Sequence, residues 1–125
     1  TLSLSRLHGK KILLDRWIAN CTGCLDFKKE MIEQLLPKIK ERDNIVIWSV
    51  GSVKDFDVWK KLLPTNSHPD FVSGWLDQQG NSNEWEIYYN ISYAPFIMLI
   101  DEEGKLISST VRNIGTIIEL LKIAK

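Results

Sequence analysis

Residues 10–24 read KKILLDRWIANCTGC, and this stretch decides the fold. Residues 10–18 form an almost continuous apolar run of strand length, the pattern of a strand covered on both faces. The run leads almost directly into Cys21-Thr22-Gly23-Cys24. After it the period changes. Phe27, Met31, Ile32, Leu35, Leu36 and Ile39 recur at steps of three and four, which makes one apolar helix stripe. The spacing predicts a helix over Cys21–Glu41, with Pro37 kinking or ending it. The cysteines then stand at a helix N-terminus, at i and i+3, one turn apart on one face.

The rest of the chain alternates in the same way. Residues 45–51 (IVIWSVG) read as a second buried strand. Residues 54–63 read as a helix with Phe56, Trp59, Leu62 and Leu63 on one side, stopped by Pro64. Residues 64–83 are polar and turn-rich, with a short strand near Phe71–Leu76, and a short helix follows at Asn83–Tyr89. Residues 96–101 (FIMLID) form a third strand, Glu102–Glu103–Gly104 a turn, and 105–111 a fourth strand paired as a hairpin. An amphipathic helix closes the chain at Thr116–Ala124. This order predicts an α/β fold, a central mixed sheet with helices on both faces.

The chain has 125 residues, which fits one domain over 1–125. Forty-four per cent of residues are hydrophobic, so a core is available without staples. Sixteen basic residues balance sixteen acidic ones. That balance argues against a nucleic-acid or acidic-membrane binder, which needs a basic surplus. The apolar runs Ile45–Trp48 and Phe96–Ile100 are too short to span a bilayer. No signal-peptide pattern is present. The start at Thr1 points to a processed or trimmed product with a targeting segment upstream.

Only two cysteines are present, so neither a disulfide-rich scaffold nor a four-cysteine zinc module is available. At a helix N-terminus, partial positive charge and unpaired N–H groups favour a thiolate. Cys21 is then the exposed nucleophile, and Cys24, pointing back toward the body, resolves the mixed disulfide. Two other readings compete. A structural disulfide would close a loop too small to add much stability. A zinc site needs two further ligands, and only His8 and His68 are on offer, without paired-ligand spacing. No metal or organic cofactor is expected. His68 reads as a solvated loop histidine, and Lys28-Lys29 and Lys60-Lys61 as solvated helix faces. Trp48, Trp59, Trp75 and Trp85 read as core or loop anchors.

Strand alternation puts Leu13, Asp15 and Trp17 on one face and Ile12, Leu14, Arg16 and Ile18 on the other. A carboxylate at Asp15 is costly unless paired or protonated, and burial would raise its pKa. It could be satisfied by a lysine or by Arg16.

Three stretches carry a family resemblance. Leu2-Ser3-Leu4-Ser5-Arg6-Leu7-His8-Gly9-Lys10 resembles an "SL-x-x-L-x-GK" lead-in. Leu14-Asp15-Arg16-Trp17-Ile18-Ala19-Asn20-Cys21 resembles "L-x-F-W-A-x-W-C". Residues 93–105, from Tyr93-Ala94-Pro95 to Gly104-Lys105, resemble "x-x-P-x-x-x-L-I-D-x-x-G-K". Together they resemble thioredoxin-fold proteins, in particular the TlpA/ResA-like branch of envelope thiol–disulfide oxidoreductases. The resemblance spans nearly the whole chain.

It implies a thioredoxin-like fold and a cis Pro95 packed against the cysteine pair, where the residues alone would allow an ordinary strand-start proline. It implies that Ala94 offers backbone groups to a substrate peptide as an added strand would. It implies that Asp15 relays a proton to Cys24, the alternative being a structural ion pair. Asn20, Thr22 and Gly23 would face the substrate. Asn20 replaces the family's Trp, Thr22-Gly23 its Gly-Pro or Glu-Pro, and Arg16 a core Phe. Phe27 and Lys29 stand where the branch often has Glu and Pro. The implied partners are protein thiols and disulfides, with a membrane or thioredoxin-type electron donor, acting on a monomer. The implied location is the bacterial periplasm or envelope, with a reducing role such as keeping apocytochrome cysteines reduced. Two alternatives are a thiol peroxidase, against which the absence of "P-x-x-x-T-x-x-C" speaks, and a non-catalytic redox sensor or binding module.

Overall fold

The computed structural model describes residues 9–39, 44–53, 55–77, 95–109 and 111–121, and of 75–77 the backbone alone. Strand β1 (Lys11–Trp17) enters helix α1 (Thr22–Glu30) through a tight turn. Helix α1 continues through a π-helical turn, Met31–Leu35, into α2 (Leu36–Ile39). Strand β2 (Ile45–Val53), helix α3 (Phe56–Asn66) and strand β3 (Val72–Asp77) follow. After them come β4 (Phe96–Ile100), β5 (Leu106–Ser108) and α4 (Ile114–Leu120).

The sheet order is β3-β2-β1-β4-β5. β1, β2 and β3 run parallel, while β4 is antiparallel to β1 and β5 to β4. The expected mixed sheet is therefore present, and the short strand near residue 71 is its edge. Two core layers follow the alternation of β1. Leu13 packs with Phe27, Met31, Leu35, Ile97, Leu99 and Ile117 on the helix-bearing face. Ile12 and Leu14 pack with Val50, Phe96, Met98 and Ile100 on the other. α1, α3 and α4 all lie on the first face. The helix expected at Asn83–Tyr89 falls outside the described residues.

The two helical prolines act differently. Pro37, expected to kink or end the helix, does not end it at its own position, for the helix runs to Ile39. The π turn lies just before it, with the Leu36 N–H donating to the Met31 carbonyl. A widened turn relieves the crowding that a proline ring imposes on the carbonyl four residues back. Pro64 does not stop α3, which extends to Asn66. Thr65 Oγ1 and Asn66 Nδ2 donate to the Leu62 carbonyl at 3.3 and 3.0 Å, and the Ser67 N–H donates to Leu63 O at 2.8 Å. These bonds close the last turn of the helix beyond the proline.

Two other boundaries shift. α4 begins at Ile114 rather than Thr116, because Asn113 Oδ1 accepts the Thr116 N–H at 2.8 Å as an N-cap. β5 covers only Leu106–Ser108, and its register with β4 shifts at Leu99/Ile100. The turn before it forms as expected. Asp101 Oδ1 accepts the N–H groups of Glu103 and Lys105, both at 2.9 Å, and Gly104 takes φ +83. Among the described residues, no helix is long and apolar enough to cross a membrane.

Candidate active site

The turn between β1 and α1 is made by Asn20, whose φ is +57. This left-handed region is one that Asn tolerates better than most side chains. The turn leaves Cys21 extended at the N-cap of α1, with its Sγ accepting the Cys24 N–H at 3.1 Å. A sulfur there replaces the oxygen of an ordinary cap and lies where the helix presents positive charge. Cys21 and Cys24 form a disulfide with a Cα–Cα distance of 5.2 Å. Cys21 is partly exposed, whereas Cys24 is 1 % exposed and packs with Trp17 and Val53. The two sulfurs therefore differ in access as their expected roles require.

Pro95 lies against the first turn of α1. A Cβ built on Gly23 would stand 3.7 Å from Pro95 Cδ. Pro95, Gly23, Asp26, Phe27, Ile97 and Arg112 line a groove of about 490 Å³ on that side. On the other side of Cys21, a depression of about 340 Å³ is lined by Asn20, Thr22, Leu25, Leu62 and Asn66. Asn20, Thr22, Gly23 and Pro95 are thus brought together around the dithiol. Ala94, and with it the Ala94–Pro95 bond, lies outside the described residues.

Asp15 is buried on the same face of β1 as Trp17. Its Oδ2 accepts from the ammonium of Lys28, also buried on α1, and its Oδ1 has no hydrogen-bond partner among the described residues. Burial pushes the Asp15 carboxyl above its ordinary value, with Lys28 attraction and hydrogen bonding opposing the rise. The lysine is one of the two partners the sequence allowed. Yet Lys28 itself is corrected: it is 2 % exposed, not part of a solvated face. Lys29, Lys60 and Lys61 are exposed as expected. The signal for Lys28 was its spacing. Cys24, Lys28, Met31 and Leu35 recur at steps of four, three and four, so Lys28 falls on the buried stripe. Its charge hid its position.

Ser49 completes the buried cluster. It sits opposite Asp15 in the β1–β2 register. Its Oγ accepts from Lys28 Nζ at 2.8 Å and Trp17 Nε1 at 3.0 Å, and donates to the Asn66 carbonyl at 3.0 Å. Nothing in the sequence singled out Ser49. His68 is a partly exposed loop residue beside Asp70, not part of the dithiol surroundings. The described residues hold no cluster of His, Cys, Asp and Glu suited to a metal ion.

An open α/β sheet that delivers a partly exposed and a buried cysteine to one helix N-terminus defines a CxxC redox site. A family model described as thioredoxin-like matches residues 9–106, and the chain belongs to this thioredoxin-like family. It is similar to a solution structure from Bacteroides vulgatus named as a candidate thiol-disulfide oxidoreductase. Identity there is 26% and the TM-score 0.77, covering 98% of this chain and 80% of that one. It is also similar to the thioredoxin domain of a thiol-disulfide oxidoreductase from Bacteroides vulgatus. That match has 24% identity and a TM-score of 0.69, over 90% of this chain and 77% of that one. A third similar structure is a candidate thiol:disulfide interchange protein DsbE from Chlorobium tepidum. It has 24% identity and a TM-score of 0.65, over 95% of this chain and 79% of that one. These last two speak for the fold alone. No curated protein sequence matches the chain.

Proposed function

We propose that this domain is a thiol–disulfide oxidoreductase that reduces or exchanges disulfides in proteins of the bacterial envelope. One observation carries the reading: the Cys21–Cys24 disulfide caps α1, with Cys21 open to a partner and Cys24 buried beneath it. In the reduced domain the Cys21 thiolate attacks a substrate disulfide. A Cys21–substrate disulfide forms and one substrate thiolate leaves. Cys24 then gives its thiol proton to the Asp15 carboxylate and attacks the Cys21 sulfur. The Cys21–Cys24 disulfide forms and the second substrate thiolate leaves, so two electrons pass to the substrate. An external dithiol, from a membrane or thioredoxin-type donor, restores the pair.

The substrate chain lies across Asn20, Thr22 and Gly23, and pairs with the backbone at Ala94 beside Pro95. The domain works as a monomer in the periplasm or at the envelope surface, where its reducing role extends to the cysteines of proteins such as apocytochromes. The test is turnover of a disulfide-bonded protein by the pre-reduced domain. Wild type consumes the disulfide catalytically, while Cys21→Ser does not. Equal rates for the two would end the oxidoreductase reading, and rapid peroxide consumption in place of disulfide turnover would put a thiol peroxidase in its stead.

A further inference from the structure

The Lys28 ammonium is the least expected group in the core, because burying a charge costs several kcal/mol on the order of what its pairing returns. It is also tightly held. Its N–H groups meet Asp15 Oδ2 and Ser49 Oγ, and the nitrogen sits 5.5 Å from the centre of the Phe71 ring. Ser49 has no spare capacity. Its Oγ accepts twice and donates once, which uses both lone pairs and its proton. The serine can neither take up a proton nor turn away. Lys28 also follows Cys24 by one helical turn on the same face of α1. Trp17, which donates to the same serine, packs on Cys24.

We propose that Lys28 is a positioning residue for the second step of the dithiol cycle, the fixed cation that keeps Asp15 able to receive the Cys24 proton. The inference rests on the proton-relay reading of Asp15. Before transfer the cluster holds a thiol, a carboxylate and an ammonium, with no net charge. After transfer it holds a thiolate, a carboxylic acid and the same ammonium, again with no net charge. Without the ammonium, both states carry one buried negative charge. Burial then keeps Asp15 protonated at rest, and the thiol proton has no acceptor.

On β1 itself Arg16 is also buried, and strand alternation puts it on the opposite face from Asp15. On the 67–71 segment, His68 meets the Phe71 ring at a tilt with centroids 5.3 Å apart, and its Nδ1 lies 3.8 Å from Asp70. On α3, Asp57, Lys60 and Lys61 are exposed, as are Asp26, Lys29 and Glu30 on α1 and Glu119 on α4.

The experiment is single-turnover reduction of a disulfide-bonded peptide by the full chain, followed across pH. Formation of the mixed disulfide and its resolution are timed separately. Wild type, Asp15→Asn, Lys28→Gln, their double variant and His68→Ala are compared. Gln keeps a hydrogen-bond donor without the charge, and thermal melting checks that each variant is folded. Lys28→Gln slows resolution by about tenfold or more on the acid limb, where the ionised fraction of Asp15 sets the rate, because losing an adjacent opposite charge raises a carboxylate's pKa by about one unit or more. Its rate–pH limb moves to higher pH, while the first attack by Cys21 changes little. The double variant matches Asp15→Asn, and His68→Ala leaves the limb in place. If Asp15→Asn slows resolution but Lys28→Gln does not, the role of Lys28 is refuted and the relay survives. If Asp15→Asn leaves resolution and its pH profile unchanged, the relay reading itself fails. Should Lys28→Gln not fold, a loss of resolution in the folded double variant beyond that of Asp15→Asn would refute the proposal, and the charge-keeping Lys28→Arg resolving on the wild-type limb would support it.

Discussion

Gly51→Ala is expected to be among the most damaging single-methyl additions this chain can receive. Gly51 lies opposite Trp17 in the β1–β2 register. A Cβ there would stand 2.6 Å from Trp59 Cδ1 and 2.7 Å from Trp17 Cη2, with Trp17 Cζ2 closer still. Carbon atoms pack best about 3.5–4.0 Å apart, so two indoles must each retreat by about 1 Å. Neither is free to do so. Trp17 is fully buried and donates to Ser49 at 3.0 Å, and Trp59 Nε1 donates to the Gly74 carbonyl at 2.9 Å. Overpacking costs about 1–3 kcal/mol and a surrendered hydrogen bond about 1 kcal/mol more. A loss of about 2–4 kcal/mol follows, or on the order of 10 °C in Tm for a domain of this length. The assay is urea unfolding of the oxidised domain, with the denaturant slope checked for two-state behaviour. Gly115→Ala is the control, since its Cβ would lie 3.4 Å from Asn113 Oδ1, near ordinary contact. A Gly51→Ala change below about 0.5 kcal/mol, the usual range of innocuous surface substitutions, would refute this account of the indole packing.

Asn113→Ala removes the cap of α4 and should cost about 1 kcal/mol in the same urea assay, with no change in disulfide turnover. Gly104→Ala places a side chain at φ +83 in the β4–β5 turn, and a loss of about 1–2 kcal/mol is expected; a neutral result would mean that the turn simply changes type. Burial holds the Asp15 proton more tightly in the native state than in the unfolded chain, where the ordinary value is 3.8. Native stability from this group therefore falls as pH rises from that value through the raised one. Measured from about pH 4 to pH 8, wild-type stability relative to Asp15→Asn should decline; a rise would show that Lys28 attraction outweighs burial. Replacing both buried charges, as Asp15→Leu with Lys28→Met, should leave urea stability within about 1 kcal/mol of wild type or above it; a loss beyond about 3 kcal/mol would make the pair a structural necessity.

β1, β2 and β4 were legible as near-continuous apolar runs of strand length that are covered on both faces, and the first helix by apolar residues recurring at a period of 3.6. Cys21 and Cys24 were legible because a strand running into CxxC and then a helical stripe leaves little freedom of placement. Ends were less so. Helix α3 passes Pro64 and ends in a turn where Thr65 and Asn66 fold their side chains back onto Leu62, local bonds that no apolar pattern records. Asn113 moved the start of α4 for the same kind of reason. Lys28 was misplaced for a different one. Its position on the buried stripe was in plain view, but a lysine enters a core only when partners from elsewhere receive it. Those partners, Asp15, Ser49 and Phe71, come from β1, β2 and the approach to β3. No window of sequence contains them together.

The front and the back of the dithiol are set by different parts of the fold. Asn20, the Cys21 cap and the Gly23–Pro95 approach determine how the sulfurs are presented. They do not provide an acceptor for the proton of Cys24, because the first turn of α1 carries no acidic residue. In the proposed relay the base comes from the sheet, and the sheet can supply one only where there is room. Register creates that room. Pairing β1 with β2 sets Asp15 opposite Ser49 and Trp17 opposite Gly51, a large or charged residue against a small one each time. A slip of one residue would turn Asp15 and Trp17 to the wrong face, away from α1. Gly51 and Ser49 carry no redox chemistry. They decide whether a carboxylate, an ammonium and an indole fit behind Cys24, and therefore whether this CxxC is backed by a proton acceptor or only by packed carbon.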